Sequence, residues 1–470
     1  MEEQMKEEGV LSQGGEGAEK KQNENKMGVM PMNKLLLTMA LPMMISMLVQ
    51  ALYNIVDSIF VAKLGQNEFN AVSFSFPVQN VIIAIASGTG VGMNALISRA
   101  LGAKNPEKAN GFAMHGLFLA LVSSIVIMIV GSLGAELFFR SQTSNLSIIK
   151  DGTSYVRVCS LFSFGVMGQI IFERLLQSTG KTTLSMITQG VGAVINLVLD
   201  PIMIFGLLGC PKLGVTGAAL ATVIGQICAC ALGFVLNAKY NKELTLNLKK
   251  FRVDKSMINE IYKIGFPSIL MQSIGSIMTY MMNRLLIDIE ETETAAAVFG
   301  AYFKLQSFVI MPVLGLGNAL TPIIAFNLGA KHKDRMQQAY RLGLVYAIAI
   351  MLVGAFAMIF FPKVLLGFFD ASESMLEMGS SAFRIVAVAL LFAGYCITTS
   401  NFFQACGKSV YSLWMSLIRQ LIVLIPLAYL FGYTLGYQWV WFAVPLAELS
   451  SVAVAVFGYR AINKKILTEL

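Results

Sequence analysis

Leu101-Gly102-Ala103-Lys104 returns as Leu328-Gly329-Ala330-Lys331, 227 positions further along (328 − 101). The same offset pairs Gln79 with Gln306, Gly88 with Gly315, Gly90 with Gly317 and Gly116 with Gly343. It also pairs Gln177 with Gln404 and Gly180-Lys181 with Gly407-Lys408, while Pro42 and Pro267 pair at 225 (267 − 42). Chance does not hold one offset across so long a stretch, so the chain is two copies of one unit.

Composition says what surrounds those units. Hydrophobic residues make up 56% and charged residues 13% of the chain, and the mean hydropathy is +0.68. A soluble protein carries about twice that charged share. The solvent of this chain is therefore largely lipid. A helix needs about 20 apolar residues to cross a bilayer core. The sequence predicts spans near 35–62, 71–98, 111–135, 154–176, 184–207 and 215–237, then 261–287, 297–324, 340–362, 378–402, 411–432 and 438–460. The predicted fold is an all-α polytopic membrane protein of twelve transmembrane helices in two pseudo-symmetric six-helix bundles. Six is even, so both copies start on one side and an axis along the membrane normal relates them, an arrangement that suits alternating access.

Eighteen Lys and Arg, from Arg99 to Lys465 and including Lys249 and Lys250, fall on one side of these spans. Five (Lys63, Arg140, Lys150, Lys212 and Lys363) fall on the other, with the acidic run Glu290, Glu291 and Glu293. The richer side is cytoplasmic and holds both termini. This placement accounts for the net charge of +8 without a nucleic-acid partner. Residues 1–33 are polar, lack a signal-peptide core and read as a disordered cytoplasmic tail. The units that follow are 34–238, a cytoplasmic linker at 239–258, 259–460, and a cytoplasmic tail at 461–470.

An ionisable side chain deep in a span is expensive, and by default it marks function. In Gln50-Ala-Leu-Tyr53-Asn54-Ile-Val-Asp57 the polar residues fall at i, i+3, i+4 and i+7, on one helical face. Asp200 lies in the fifth predicted span, with Asn196 one turn earlier and Pro201 after it. At about 1.5 Å per residue, Asp57 and Asp200 share a depth of roughly 10 Å below the outer surface. Two carboxylates with amide neighbours can bind Na⁺ through oxygens or share a proton. Thr222 and Gln226, at i and i+4 on the sixth span, are candidates to complete the oxygen shell; ordinary helix–helix hydrogen bonding is the competing reading for them. The second copy has no matching acids. Glu173 beside Arg174 reads as a local charge pair. Glu448 has no basic neighbour in sequence and is a candidate cavity residue, together with Asn54 and Gln226. Some of the 27 Met and 31 Phe are expected to line a cavity for hydrophobic cations.

The six cysteines (159, 210, 228, 230, 396 and 406) sit mostly in apolar runs and read as packing residues. His115 and His332 share no metal-ligand spacing with an acid or thiol. No nucleotide-binding loop or catalytic constellation is present, so neither an enzyme nor a cofactor beyond a coupling ion is expected.

Pro42 with Gln50, Tyr53 and Asp57-Ser58-Ile-Phe60, followed by Leu64-Gly65, resembles the first helix of multidrug and toxic compound extrusion (MATE) transporters. The two Leu-Gly-Ala-Lys loops, Gln177-Ser-Thr-Gly-Lys181 and Asn196 through Asp200-Pro201 resemble the same family, over about residues 34–460. The resemblance implies two bundles in a V, drug export coupled to Na⁺ or H⁺, and a monomer in a bacterial inner membrane. It implies that Asp57, Asn196 and Asp200 form a cation site with Gln50 and Tyr53 beside it. The seventh span has no acid before Asp288 and the tenth none after Glu377, which favours the DinF-like and MepA-like branch. The runner-up is a lipid-linked glycan flippase of the same superfamily, with Arg384 and Arg419 as its candidate pyrophosphate ligands.

Overall fold

The computed structural model describes residues 25–246, 251–289, 294–369 and 371–469. Residues 1–24, Lys249, Lys250 and Glu290, Glu291 and Glu293 lie outside them. The described residues are predominantly helical and contain no strand. The first half has α1 (Met32–Ala62), α2 (Gln66–Gly102), α3 (Pro106–Gln142), the pair α4a (Leu146–Leu161) and α4b (Ser163–Ser178), α5 (Thr182–Phe205) and α6 (Val215–Tyr240). The second half has α7 (Lys255–Ile289), α8 (Thr294–Gly329), α9 (Lys333–Phe360), α10 (Glu373–Ala405), α11 (Ser409–Leu435) and α12 (Ala443–Glu469).

Ten described helices are long and apolar enough to cross a membrane, and α4a with α4b, bent by 48°, makes an eleventh. The twelfth, α7, has the length at 35 residues, but Gln272, Ser273, Ser276 and Thr279 dilute its apolar run. Large apolar side chains such as Leu133, Leu137, Val353 and Phe457 stand exposed on the outer surface, as a lipid-facing surface requires.

The two halves meet reciprocally: α1 packs on α8, α2 packs on α7, and α2 crosses α8. Exchanging the halves exchanges the first two contacts, so the pseudo-twofold axis runs between α2 and α8. Backbone geometry repeats with the sequence. Lys104 and Lys331 are both left-handed (φ 54° and 60°), as are Gly180 and Gly407 (φ 83° and 72°). Each residue closes a helix in which the next amide reaches back five residues: Asn105 to Ala100, His332 to Asn327, Lys181 to Leu176 and Lys408 to Phe403. That is the Schellman pattern, and it explains why these positions survive in both copies.

Close to the axis, a Cβ on Gly102 would lie 1.9 Å from the Phe326 carbonyl oxygen. A Cβ on Gly329 would lie 2.0 Å from that of Arg99. Alanine normally stabilises a helix relative to glycine by about 1 kcal/mol. At these two sites the sign reverses, because the obstructing atom is backbone and cannot rotate away. Gly102→Ala and Gly329→Ala are each expected to destabilise this conformation by about 1–3 kcal/mol. Gly134→Ala, with nothing within 4 Å, should not, and thermal unfolding of the purified variants tests the contrast.

Two terminal expectations need correction. Asn25–Met30, read as part of a disordered tail, is ordered and includes a short helix, Lys26–Val29. Met27 is fully buried, Asn25 donates to Glu243 at 2.5 Å, and Arg335 donates to the Met27 and Met30 carbonyls. One apolar side chain seated between the halves outweighs the polar composition around it. At the other end, the stretch expected as a tail from 461 continues α12 to Glu469. His115 has a structural role: its Nε2 accepts from the Asp254 amide at 2.8 Å, securing the connection between the halves to α3.

Candidate functional site

Helices α5 and α6 approach closely because glycines face each other. A Cβ on Gly225 would lie 2.7 Å from the Gly192 carbonyl oxygen, the small-residue contact on which lipid-embedded helices rely. The contact brings Asn196 beside Thr222. The Asn196 amide nitrogen lies 3.3 Å from Asp200 Oδ1. With the amide turned to satisfy both ends, its nitrogen meets Asp200 Oδ2 at 3.2 Å. Its oxygen then accepts from the Thr222 hydroxyl at 3.3 Å and the Thr222 amide at 3.1 Å. Pro201 lacks an N–H, so the helix loses one backbone bond within a turn of Asp200.

Asp200 is fully buried, and Asp57 lies beside it where α1 packs on α5, so that each carboxyl perturbs the other. Asp57 Oδ1 is buried and receives no hydrogen bond. Among the described residues, neither acid forms an ion pair with Lys or Arg; Lys63 instead lies over the Phe60 ring at 5.9 Å. A polar ladder joins α1 to α5 next to the pair. Ser46 donates to Gln189 Oε1 at 2.5 Å, and Gln189 Nε2 donates to Gln50 at 2.9 Å. Gln189 was not singled out from sequence, although Gln189, Asn196 and Asp200 share one face of α5 and carried the signal.

A cavity of about 420 Å³ opens between the halves, lined by Gln50, Tyr53, Asn196, Thr222 and Gln226 of the first and by Ser268, Met271, Gln272, Asn318, Asn401 and Gln404 of the second. The bend at Phe162 turns α4b so that Gln169, Glu173, Arg174 and Gln177 face it. Tyr53 and Asn196 therefore belong both to the cavity wall and to the surroundings of the carboxyl pair.

Several expectations change here. Glu173 and Arg174 do not close on each other. Gln169 donates to Glu173 at 3.0 Å, while Arg174 donates to Gln177 and, across the halves, to Asn318, both at 2.9 Å. Neighbours on a helix point apart, and each side chain found its own amides. Asn54 is exposed and does not line the cavity. Glu448, which had no basic neighbour in sequence, is bound by Arg419 Nη1 at 2.8 Å and lies off the cavity. The π-helical stretch Ile418–Leu424, just before Pro426, sets the register that aims Arg419 at it. Of the Met and Phe expected to line a cavity, Met47, Met271 and Met311 do so and no described Phe does; Tyr53 is the one aromatic among the described lining residues.

The MatE family model matches residues 42–202 and 264–430, one match in each half. The chain belongs to the MatE family. An FAD transporter of Shewanella oneidensis is 29% identical over 425 residues, 89% of this chain and 92% of the relative. The multidrug export protein MepA of Staphylococcus aureus is 26% identical over 436 residues, 91% and 94%. A solved transporter from Pyrococcus furiosus, whose pocket is described as of reverse polarity, superposes with a TM-score of 0.88 at 28% identity, covering 94% of this chain and 98% of its own. An outward-facing multidrug-resistance MATE transporter superposes equally well, covering 95% and 99%. This MatE chain is thus a multi-pass membrane transporter with the two-bundle architecture of its relatives.

Proposed function

We propose that this transporter exports organic cations in exchange for Na⁺ or H⁺, by alternating access in a bacterial inner membrane with both termini cytoplasmic. Asp57 and Asp200, with Asn196, Thr222, Gln50 and Tyr53, form the coupling site. The observation that carries this reading is a neighbouring carboxyl pair, Asp200 buried and Asp57 half-buried, with no basic partner among the described residues, beside a cavity between two halves. Two neighbouring carboxylates repel unless a proton or cation offsets their charge. Carboxylate, amide and hydroxyl oxygens also suit a hard cation. The second half supplies the contrast, since Glu448 already carries a built-in cation in Arg419.

An anionic substrate fits the cavity less well. A diphosphate, whether of FAD or of a lipid-linked glycan, calls for several cationic donors. Among the described residues Arg174 is the one basic residue in the lining, and it is already held by two amides. Of the residues that a flippase would use, Arg384 is exposed and donates to the Ile359 carbonyl, and Arg419 is taken by Glu448. The test is efflux of ethidium, acridine orange and FAD from proteoliposomes under separately imposed Na⁺ and H⁺ gradients. Cation efflux that collapses with one gradient is expected. FAD efflux with neither cation moved would overturn the substrate class.

A further inference from the structure

Glu173 is more than nine-tenths buried, lines the cavity and receives a hydrogen bond at Oε1 from Gln169. Among the described residues no Lys or Arg forms an ion pair with it, because Arg174 turns toward Gln177 and Asn318. Gln272 and Gln404, from the second half, face the same space. A buried acid opening on a cavity rimmed by amides is a site for a cation. The type of cation follows from what the wall lacks. Quaternary onium groups have no N–H and are held by aromatic faces, yet among the described residues Tyr53 is the lone ring here. A protonated amine can donate to a carboxylate and to amide oxygens, and charge-assisted bonds of that kind are the strong ones.

We propose that Glu173 is the anchor for the substrate's cationic group, and that the group it selects is a protonated amine carrying at least one N–H. This rests on the exporter reading above and adds the residue and chemical class to it. Tyr53 lines the same cavity as Glu173 and stands one helical turn from Asp57 on α1, so the anchor and the carboxyl pair share one low-dielectric space. A positive charge anchored at Glu173 therefore opposes one held by the carboxyl pair, which is the exchange that antiport requires.

Acridine orange, protonated at its ring nitrogen, and its 10-methyl quaternary analogue differ at that one position. Binding of both to the purified full-length protein is measured in wild type, Glu173→Gln and Glu173→Asp, with bound Na⁺ or H⁺ recorded in parallel. Wild type should prefer the N–H form by roughly tenfold or more, the worth of one charge-assisted hydrogen bond. Glu173→Gln should erase that preference while leaving ion binding at the carboxyl pair in place, and Glu173→Asp should keep it at lower affinity. Equal binding of the two dyes in wild type, or a preference unchanged in Glu173→Gln, overturns the inference and leaves the exporter reading standing. Wild-type protein that binds neither dye and no coupling ion overturns both.

Discussion

Asp57→Asn and Asp200→Asn are each expected to reduce gradient-driven export by on the order of 100-fold or more, equivalent to about 3 kcal/mol of lost coupling. The reason is local. Asp57 and Asp200 are neighbours, Asp57 Oδ1 lacks a donor, and their charge is uncompensated by any described Lys or Arg. An amide fills the same volume and presents an oxygen, yet it cannot carry the charge that a proton or Na⁺ neutralises. Folding should survive, since each change removes a buried charge rather than a contact. Size-exclusion profiles and dye binding at the cavity should stay near wild type while uphill efflux disappears. Normal uphill efflux in both variants would remove these residues from the coupling site.

The second large effect lies in the other half. Arg419→Met should destabilise the protein by about 3–5 kcal/mol, because it leaves the buried Glu448 without its partner, and Glu448→Leu by less, because the guanidinium it strands is part-exposed. The double variant should recover to within about 1 kcal/mol of wild type, since two apolar groups of similar size replace a pair that is costly to desolvate. Thermal unfolding of the four proteins closes the cycle. Export should persist in the double variant. Additive losses would show that the two residues act separately, and lost export in a stable double variant would return Glu448 to the transport machinery.

The sequence disclosed what depends on periodicity and repetition. Gln50, Tyr53 and Asp57 could be placed on one helical face by spacing alone, and the Leu-Gly-Ala-Lys repeats marked turns whose left-handed lysines recur in the structure. Pairings between distant helices were not legible. Glu448 and Arg419 lie 29 positions apart and meet through a π-helical register that composition does not announce. Glu173 beside Arg174 looked like a pair because adjacency in sequence imitates contact, while helix geometry sends the two side chains to different amides. The segment at Asn25–Met30 resembles a tail because it continues the polar stretch before it, while the burial of Met27 depends on a crevice made by both halves. The cavity wall was hidden for a similar reason: its amides come from seven helices, and no single stretch is conspicuous.

The central claim is that the carboxyl pair holds the ion that the substrate displaces. The direct measurement is ion release from purified protein on addition of acridine orange, followed as ²²Na⁺ loss or proton release in weak buffer. The account predicts saturable release from wild type and none from Asp200→Asn, although that variant still binds the dye. Dye binding to wild type with no ion released, or equal release from Asp200→Asn, would contradict it.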